Sequence, residues 1–129
     1  MSKAAKAKGR TGQQEVRDKL LETFPEFEPD DIKSTIMGDT GADIQLSPAA
    51  RKKIPLSIEV KRRKSELKTV YGFMEQAANH NNNEPVVFFR SDRKPWVVMV
   101  GMEHYMDLLK VWGDEKRKSK SVGSNRRSL

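Results

Sequence analysis

The apolar positions fall into a succession of short periodic runs. Val16, Leu20, Leu21 and Phe24 recur at helical spacing and share one helix face. Ahead of them, Thr11-Gly12-Gln13-Gln14 has the form of a capping box, which predicts a helix start near residue 12; Phe24-Pro25 predicts its end. Residues 26–31 are acidic, contain Pro29 and read as a loop. Apolar and polar residues then alternate from Ile32 to Met37, a strand ending in the turn Gly38-Asp39-Thr40-Gly41. The turn delivers a second strand-like run, Ala42 to Leu46, and a polar, basic connection follows over Ser47 to Lys53. Ile54 to Arg63 is the third strand, with Ile58 and Val60 facing a core.

Ser65 is the expected cap of a second helix, in which Leu67, Val70, Tyr71, Met74, Ala77 and Ala78 form one buried stripe. His80-Asn81-Asn82-Asn83 ends it. Pro85 to Arg90 and Pro95 to Gly101 are apolar, β-branched runs around Ser91-Asp92-Arg93-Lys94, the pattern of a hairpin. A final helix is expected from Met102 to Trp112, stopped by Gly113. The whole reads as one α/β domain, a mixed central sheet flanked by helices.

Charge changes this picture at the two ends. Of the net +7, residues 1–10 contribute +4 (Lys3, Lys6, Lys8, Arg10), and residues 113–129 contribute +4, six basic against two acidic. The segment 11–112 is left at −1. Basic stretches so poor in apolar side chains bury little surface, so 1–10 and 113–129 are expected to be disordered arms that meet a polyanion, the plain alternative being that they serve solubility alone. At 129 residues without cysteine, the chain supports one core and neither disulfides nor a thiolate metal site. A reduced cytoplasm is the expected compartment, with no exported or membrane-spanning segment.

Several chemistries drop out. His80 and His104 lack metal-ligand spacing, and there is neither a glycine-rich phosphate loop nor a serine nucleophile elbow. What remains is Asp43 on one run and Glu59-Val60-Lys61 on the next. Residues two apart on a strand share a face, so Glu59 and Lys61 stand side by side. Two carboxylates can hold a hard divalent cation that polarises a phosphate and activates water. Lys61 can orient that water or neutralise developing charge. The plain alternatives are a surface ion pair between Glu59 and Lys61 and a solvated charge run over Lys61-Arg62-Arg63-Lys64. Asp39 rivals Asp43 as an acid, although turn aspartates usually bond their own backbone.

Asp43 followed by Glu59-Val60-Lys61 resembles the PD-(D/E)XK nuclease motif. Lys8-Gly9-Arg10-Thr11-Gly12-Gln13-Gln14-Glu15 resembles the lead into the first helix of Holliday junction resolvases and small phage nucleases of that superfamily. Met74-Glu75-Gln76-Ala77-Ala78 before Pro85 to Arg90 is similar to the helix and strand that follow the motif there. Ala42 stands where the family's name puts proline, a position that supplies no ligand.

The resemblance, over residues 8–112, implies a restriction-endonuclease-like core and Mg²⁺-dependent cleavage of DNA, with Mn²⁺ as a substitute. It assigns Asp43, Glu59 and the Val60 carbonyl to the metal, and Lys61 to the water or the developing charge. Glu15 and Gln76 join as further catalytic candidates; their alternatives are a first-turn glutamate favoured by the helix dipole and a solvent-facing glutamine. Lys8, Arg10, Arg62, Arg63 and Lys64 would hold phosphates. The resemblance further implies a homodimer acting on DNA, branched DNA included, in phage or mobile-element recombination or repair. Trp96, Tyr105 and Trp112 are interface candidates whose ordinary role is core. A basic nucleic-acid-binding protein without catalysis is the reading from another class.

Overall fold

A computed structural model describes residues 3–35 and 42–118. Asp39, the basic side chains beyond Lys118 and the turn 38–41 lie outside the described residues. The described residues divide into two compact units, one of residues up to 62 together with 109–118, the other of residues 63–108.

The first unit opens with α1 (Lys3–Thr23), followed by strands β1 (Ile32–Ser34) and β2 (Ile44–Leu46) and the short helix α2 (Pro48–Lys53). β1 and β2 pair antiparallel, Ile32 opposite Leu46 and Ser34 opposite Ile44. The core is Leu20 from α1, Phe24 just after its end, Ile32, Ile44, Ala50 and Ile54, joined by Leu109 from the last helix. The α1 stripe delivers its apolar face as its spacing requires, with Val16 and Leu21 half-buried at the margin.

Three local expectations change here. Helix α1 begins at Lys3, inside the basic arm expected over 1–10, because the Ala- and Lys-rich stretch consists of strong helix formers. No capping box forms at Thr11, whose hydroxyl donates back to the Ala7 carbonyl at 2.9 Å within the continuous helix. The connection after β2 contains α2, capped by Ser47, whose side chain accepts the Ala50 amide, with proline in the first turn.

The segment 54–63, expected as the third strand, forms no ladder. Pro55 has no amide to offer and the Leu56 amide turns back to the Ile54 carbonyl at 2.8 Å, so the segment starts out of register with any partner. It touches the strand region through Asp43 instead.

The second unit contains α3 (Lys68–Ala78), β3 (Val86–Phe89), β4 (Val97–Val100) and the first half of α4 (Met102–Lys118). β3 and β4 form the expected hairpin, in register from Val86 opposite Val100 to Phe89 opposite Val97. The turn between them puts Arg93 at φ 64°. Ser65 does not cap α3, which starts after Leu67 with no side-chain cap. Its expected stripe is not buried: Leu67 and Tyr71 are exposed, and α3 meets β3 through Phe73, whose ring lies 6.0 Å from that of Phe89.

Among the described residues the architecture is thus mixed α/β, with two two-stranded antiparallel sheets in place of the single mixed sheet expected. Among the described residues no helix is long and apolar enough to cross a membrane.

Helix α4 runs to Lys118, past the stop expected at Gly113 and into the expected basic tail. Gly113 is buried inside the helix, where a Cβ would lie 3.2 Å from the Lys53 carbonyl oxygen and 3.9 Å from the Phe24 ring. A close approach between α4 and the end of α2, not a helix stop, explains this glycine. The buried Lys53 ammonium pairs with Glu26 and, at 3.5 Å, with Asp114 at the same place.

Candidate active site

Asp43 lies just ahead of β2, half-buried, and is stitched to its surroundings on three sides. Its carbonyl accepts the Thr35 amide at 2.9 Å and its amide donates to the Ile58 carbonyl at 2.9 Å. Its carboxylate Oδ2 accepts the Val60 amide at 2.7 Å. The Thr35 hydroxyl adds a hydrogen bond to the Ala42 carbonyl. Asp43 therefore joins the end of β1 to the segment 58–60, and its acid lies against the backbone of the Glu-x-Lys motif.

Glu59 and Lys61 pair at 3.0 Å, each side chain 61% exposed. This is the side-by-side arrangement that alternation requires. Val60 and Arg62 take the other side: a Cβ at Gly12 would meet Val60 Cγ1 at 3.6 Å and Arg62 Cβ at 3.3 Å. The absence of a side chain at Gly12 is what lets α1 approach the motif segment this closely.

Glu15, one turn along α1, shares the Gly12 face and is exposed. It is on the helix that covers Val60 and Arg62, while Glu59 and Lys61 point away from that cover. Among the described residues no group of three His, Asp or Glu side chains converges at metal-binding distance. Asp43 and the Glu59–Lys61 pair are brought to one segment; Glu15 is not gathered with them. Gln76 is exposed on α3 in the second unit. Of the phosphate candidates, Arg10, Arg62 and Lys64 are exposed, Lys8 is half-buried and Arg63 approaches Glu66 at 3.8 Å.

Two features lay outside the sequence reading. One is Thr35, which closes the Asp43 clamp from β1. The other is an open groove of about 330 Å³ beside Asp43, lined by residues that include Ala42, Ile44, Leu46, Leu56 and Ser57, with Arg51 of α2 as its cation. Ser47-Pro48 carried the signal for the helix that brings Arg51 there, a capping residue followed by proline.

Asp31 is held below the usual carboxylate range, first by the Ser47 hydroxyl at 2.7 Å from Oδ1 and then by the Glu28 amide at 2.9 Å from Oδ2. The same Ser47 oxygen caps α2, so Asp31 braces the turn that follows β2. Comparison with family models, with curated proteins and with solved structures returns no match to the chain.

Proposed function

We propose that this protein is a metal-dependent endodeoxyribonuclease with a restriction-endonuclease-like core. The observation that carries the reading is the hydrogen bond from the Val60 amide to Asp43 Oδ2, which holds the acid of one run against Glu59-Val60-Lys61 of the next. The contact is made to backbone, so it fixes Asp43 on the motif whatever the neighbouring side chains do.

The donor set fits Mg²⁺, and Mn²⁺ equally: Asp43, Glu59 and the Val60 carbonyl are hard oxygen donors, and such ions keep several waters besides one or two carboxylates. A carboxylate offers about four lone-pair sites, so the Val60 amide leaves Asp43 with acceptor capacity. The cation, when bound, polarises the phosphate and eases ionisation of water. Lys61, paired with Glu59, would release that partner to the cation and turn its ammonium to the attacking water or the phosphate oxygens. Arg62, Arg63, Lys64, Lys8 and Arg10 would hold neighbouring phosphates, with Glu15 and Gln76 as further contributors. The proposed substrate is DNA, branched DNA included, and the proposed working form is a homodimer.

A non-catalytic nucleic-acid-binding module is favoured by one specific observation, that Glu59 and Lys61 already satisfy each other in solvent. A panel of four-way junction, flap, linear duplex and single strand in Mg²⁺ or Mn²⁺ separates the two readings. Cleavage of any of these that is lost in Glu59→Gln supports the nuclease; intact DNA throughout leaves the binding module.

A further inference from the structure

The β3–β4 hairpin has two faces of different fate. Phe89 turns toward α3, where its ring meets Phe73. Phe88 opposes Val98 on the other face, and just beyond the last pair of the register, Phe89 opposite Val97, Arg90 and Trp96 meet across the hairpin. Among the described residues this second face is open: Phe88 is 68% exposed, Trp96 61% and Val98 53%. Two large aromatic side chains of one hairpin, Phe88 in β3 and Trp96 just ahead of β4, are thus held in water, at a cost that a merely structural hairpin would avoid by using polar residues.

The surroundings say what chemistry the face suits. The Arg90 guanidinium sits 5.8 Å from the centre of the Trp96 ring. The turn adds Arg93 and Lys94 against Asp92, so residues 88–98 carry net +2. Flat aromatic faces beside cations are what unpaired nucleotides bind: bases stack on the rings and phosphates meet the guanidinium and ammonium groups. Paired bases, already stacked inside a duplex, gain nothing from the rings.

We propose that this face of the hairpin is a stacking platform for single-stranded DNA, with Trp96 and Phe88 each taking a base and Arg90, Arg93 and Lys94 taking the backbone. The choice of DNA rests on the nuclease reading above, and the platform would direct that activity to unpaired stretches such as flaps, ends or the crossover of a branched molecule.

The test is anisotropy of labelled oligo(dT) of roughly 16 nucleotides, measured in EDTA so that cleavage plays no part, beside a duplex of equal length. Trp96→Ala and Phe88→Ala are expected to weaken oligo(dT) binding by about 5- to 150-fold each while duplex binding changes little. Trp96→Phe, which keeps a π-face, should restore most of the affinity. Both residues are exposed, so far-UV circular dichroism of the variants should match the parent. Unchanged oligo(dT) affinity in Trp96→Ala would overturn the proposal, and if that variant instead dissociates a dimer in sedimentation, the face belongs to a second copy. An equal loss on duplex would overturn it as well, since stacking could not be the cause. A protein that cuts no DNA in Mg²⁺ yet loses oligo(dT) affinity with Trp96→Ala would refute the nuclease and leave the platform standing.

Discussion

The Val60 amide donates to Asp43 Oδ2 at 2.7 Å while the Asp43 amide donates to the Ile58 carbonyl at 2.9 Å. The residue proposed as a metal ligand is therefore also a fastener between the strand region and the motif segment. These two roles separate by substitution. Asp43→Asn keeps an oxygen that can accept the Val60 amide, so its Tm should stay close to the parent while cleavage falls by at least about a hundredfold. Asp43→Ala removes the acceptor and strands a part-buried amide, which should destabilise the fold by about 1–3 kcal/mol. Thermal melts and cleavage rates on both variants check this; an Asn variant that cleaves like the parent excludes Asp43 from the chemistry.

Glu59 and Lys61 should behave differently. Their ion pair is 61% exposed on both sides, and such pairs contribute about 0.2–1 kcal/mol. Glu59→Gln and Lys61→Ala should melt within about 1 kcal/mol of the parent. Under the nuclease reading each loses activity by about two orders of magnitude or more. Loss of fold in either variant would mean that the segment 54–62 relies on contacts other than those from Asp43 and Gly12.

How much of this was legible in the chain depends on which forces act locally. The apolar stripe of α1 with Leu20, continued by Phe24 just past its end, and the β3–β4 hairpin follow from periodicity and turn chemistry, which depend on near neighbours. The expected strand over Ile54 to Arg63 has the right alternation, but a ladder needs a partner edge in register, and Pro55 with the turned-back Leu56 amide denies it one. Trp96 among valines suggested core, yet a hairpin has two faces and α3 meets only the side that carries Phe89. Gly113 looked like a stop because its real constraint, the Lys53 carbonyl, is distant in sequence. Asp43 was legible as an acid beside the motif; its grip on the Val60 amide was not, since no spacing rule encodes a side chain bonding another segment's backbone.

Asp31 gives the fold a pH-dependent brace. Its carboxyl is held below its ordinary value of 3.8, chiefly by the Ser47 hydroxyl and secondly by the Glu28 amide. A group whose folded value is depressed contributes stability above its unfolded value and loses it as pH falls through the folded one. Asp31→Asn should therefore lower Tm at neutral pH, and the gap from the parent should close as pH drops below 3.8. Melts from neutral pH down into the acid range read this directly. A gap that is constant with pH would assign the effect to packing rather than to the charge.

The helical glycines offer a matched pair. Gly72 in α3 has nothing within 4 Å of an added Cβ, so Gly72→Ala should stabilise by about 0.5–1 kcal/mol through helix propensity. In Gly113→Ala the same gain is opposed by a Cβ 3.2 Å from a backbone carbonyl that cannot swing aside. Overpacking of that kind costs about 1–3 kcal/mol. The expected outcome is a lower Tm for Gly113→Ala and a higher one for Gly72→Ala. A rise in both would show that α4 is free to move off the end of α2.

Because α1 begins at Lys3, its basic residues are ordered in space. Lys3, Lys6 and Arg10 fall at i, i+3 and i+7, which places them along one helix face, and all three are exposed. Such a stripe can follow a phosphate backbone, whereas Lys8 is half-buried and off that line. Each phosphate contact contributes about 0.9 to the slope of log affinity against log salt on duplex DNA. Replacing Lys3, Lys6 and Arg10 together by alanine should flatten that slope by up to roughly 2.7, with the larger affinity loss at low salt. Alanine favours the helix as much as lysine or arginine does, so α1 itself should persist, and far-UV circular dichroism checks that it does. A slope that stays the same in the triple variant would remove α1 from the DNA interface and leave phosphate binding to Arg62 and its neighbours.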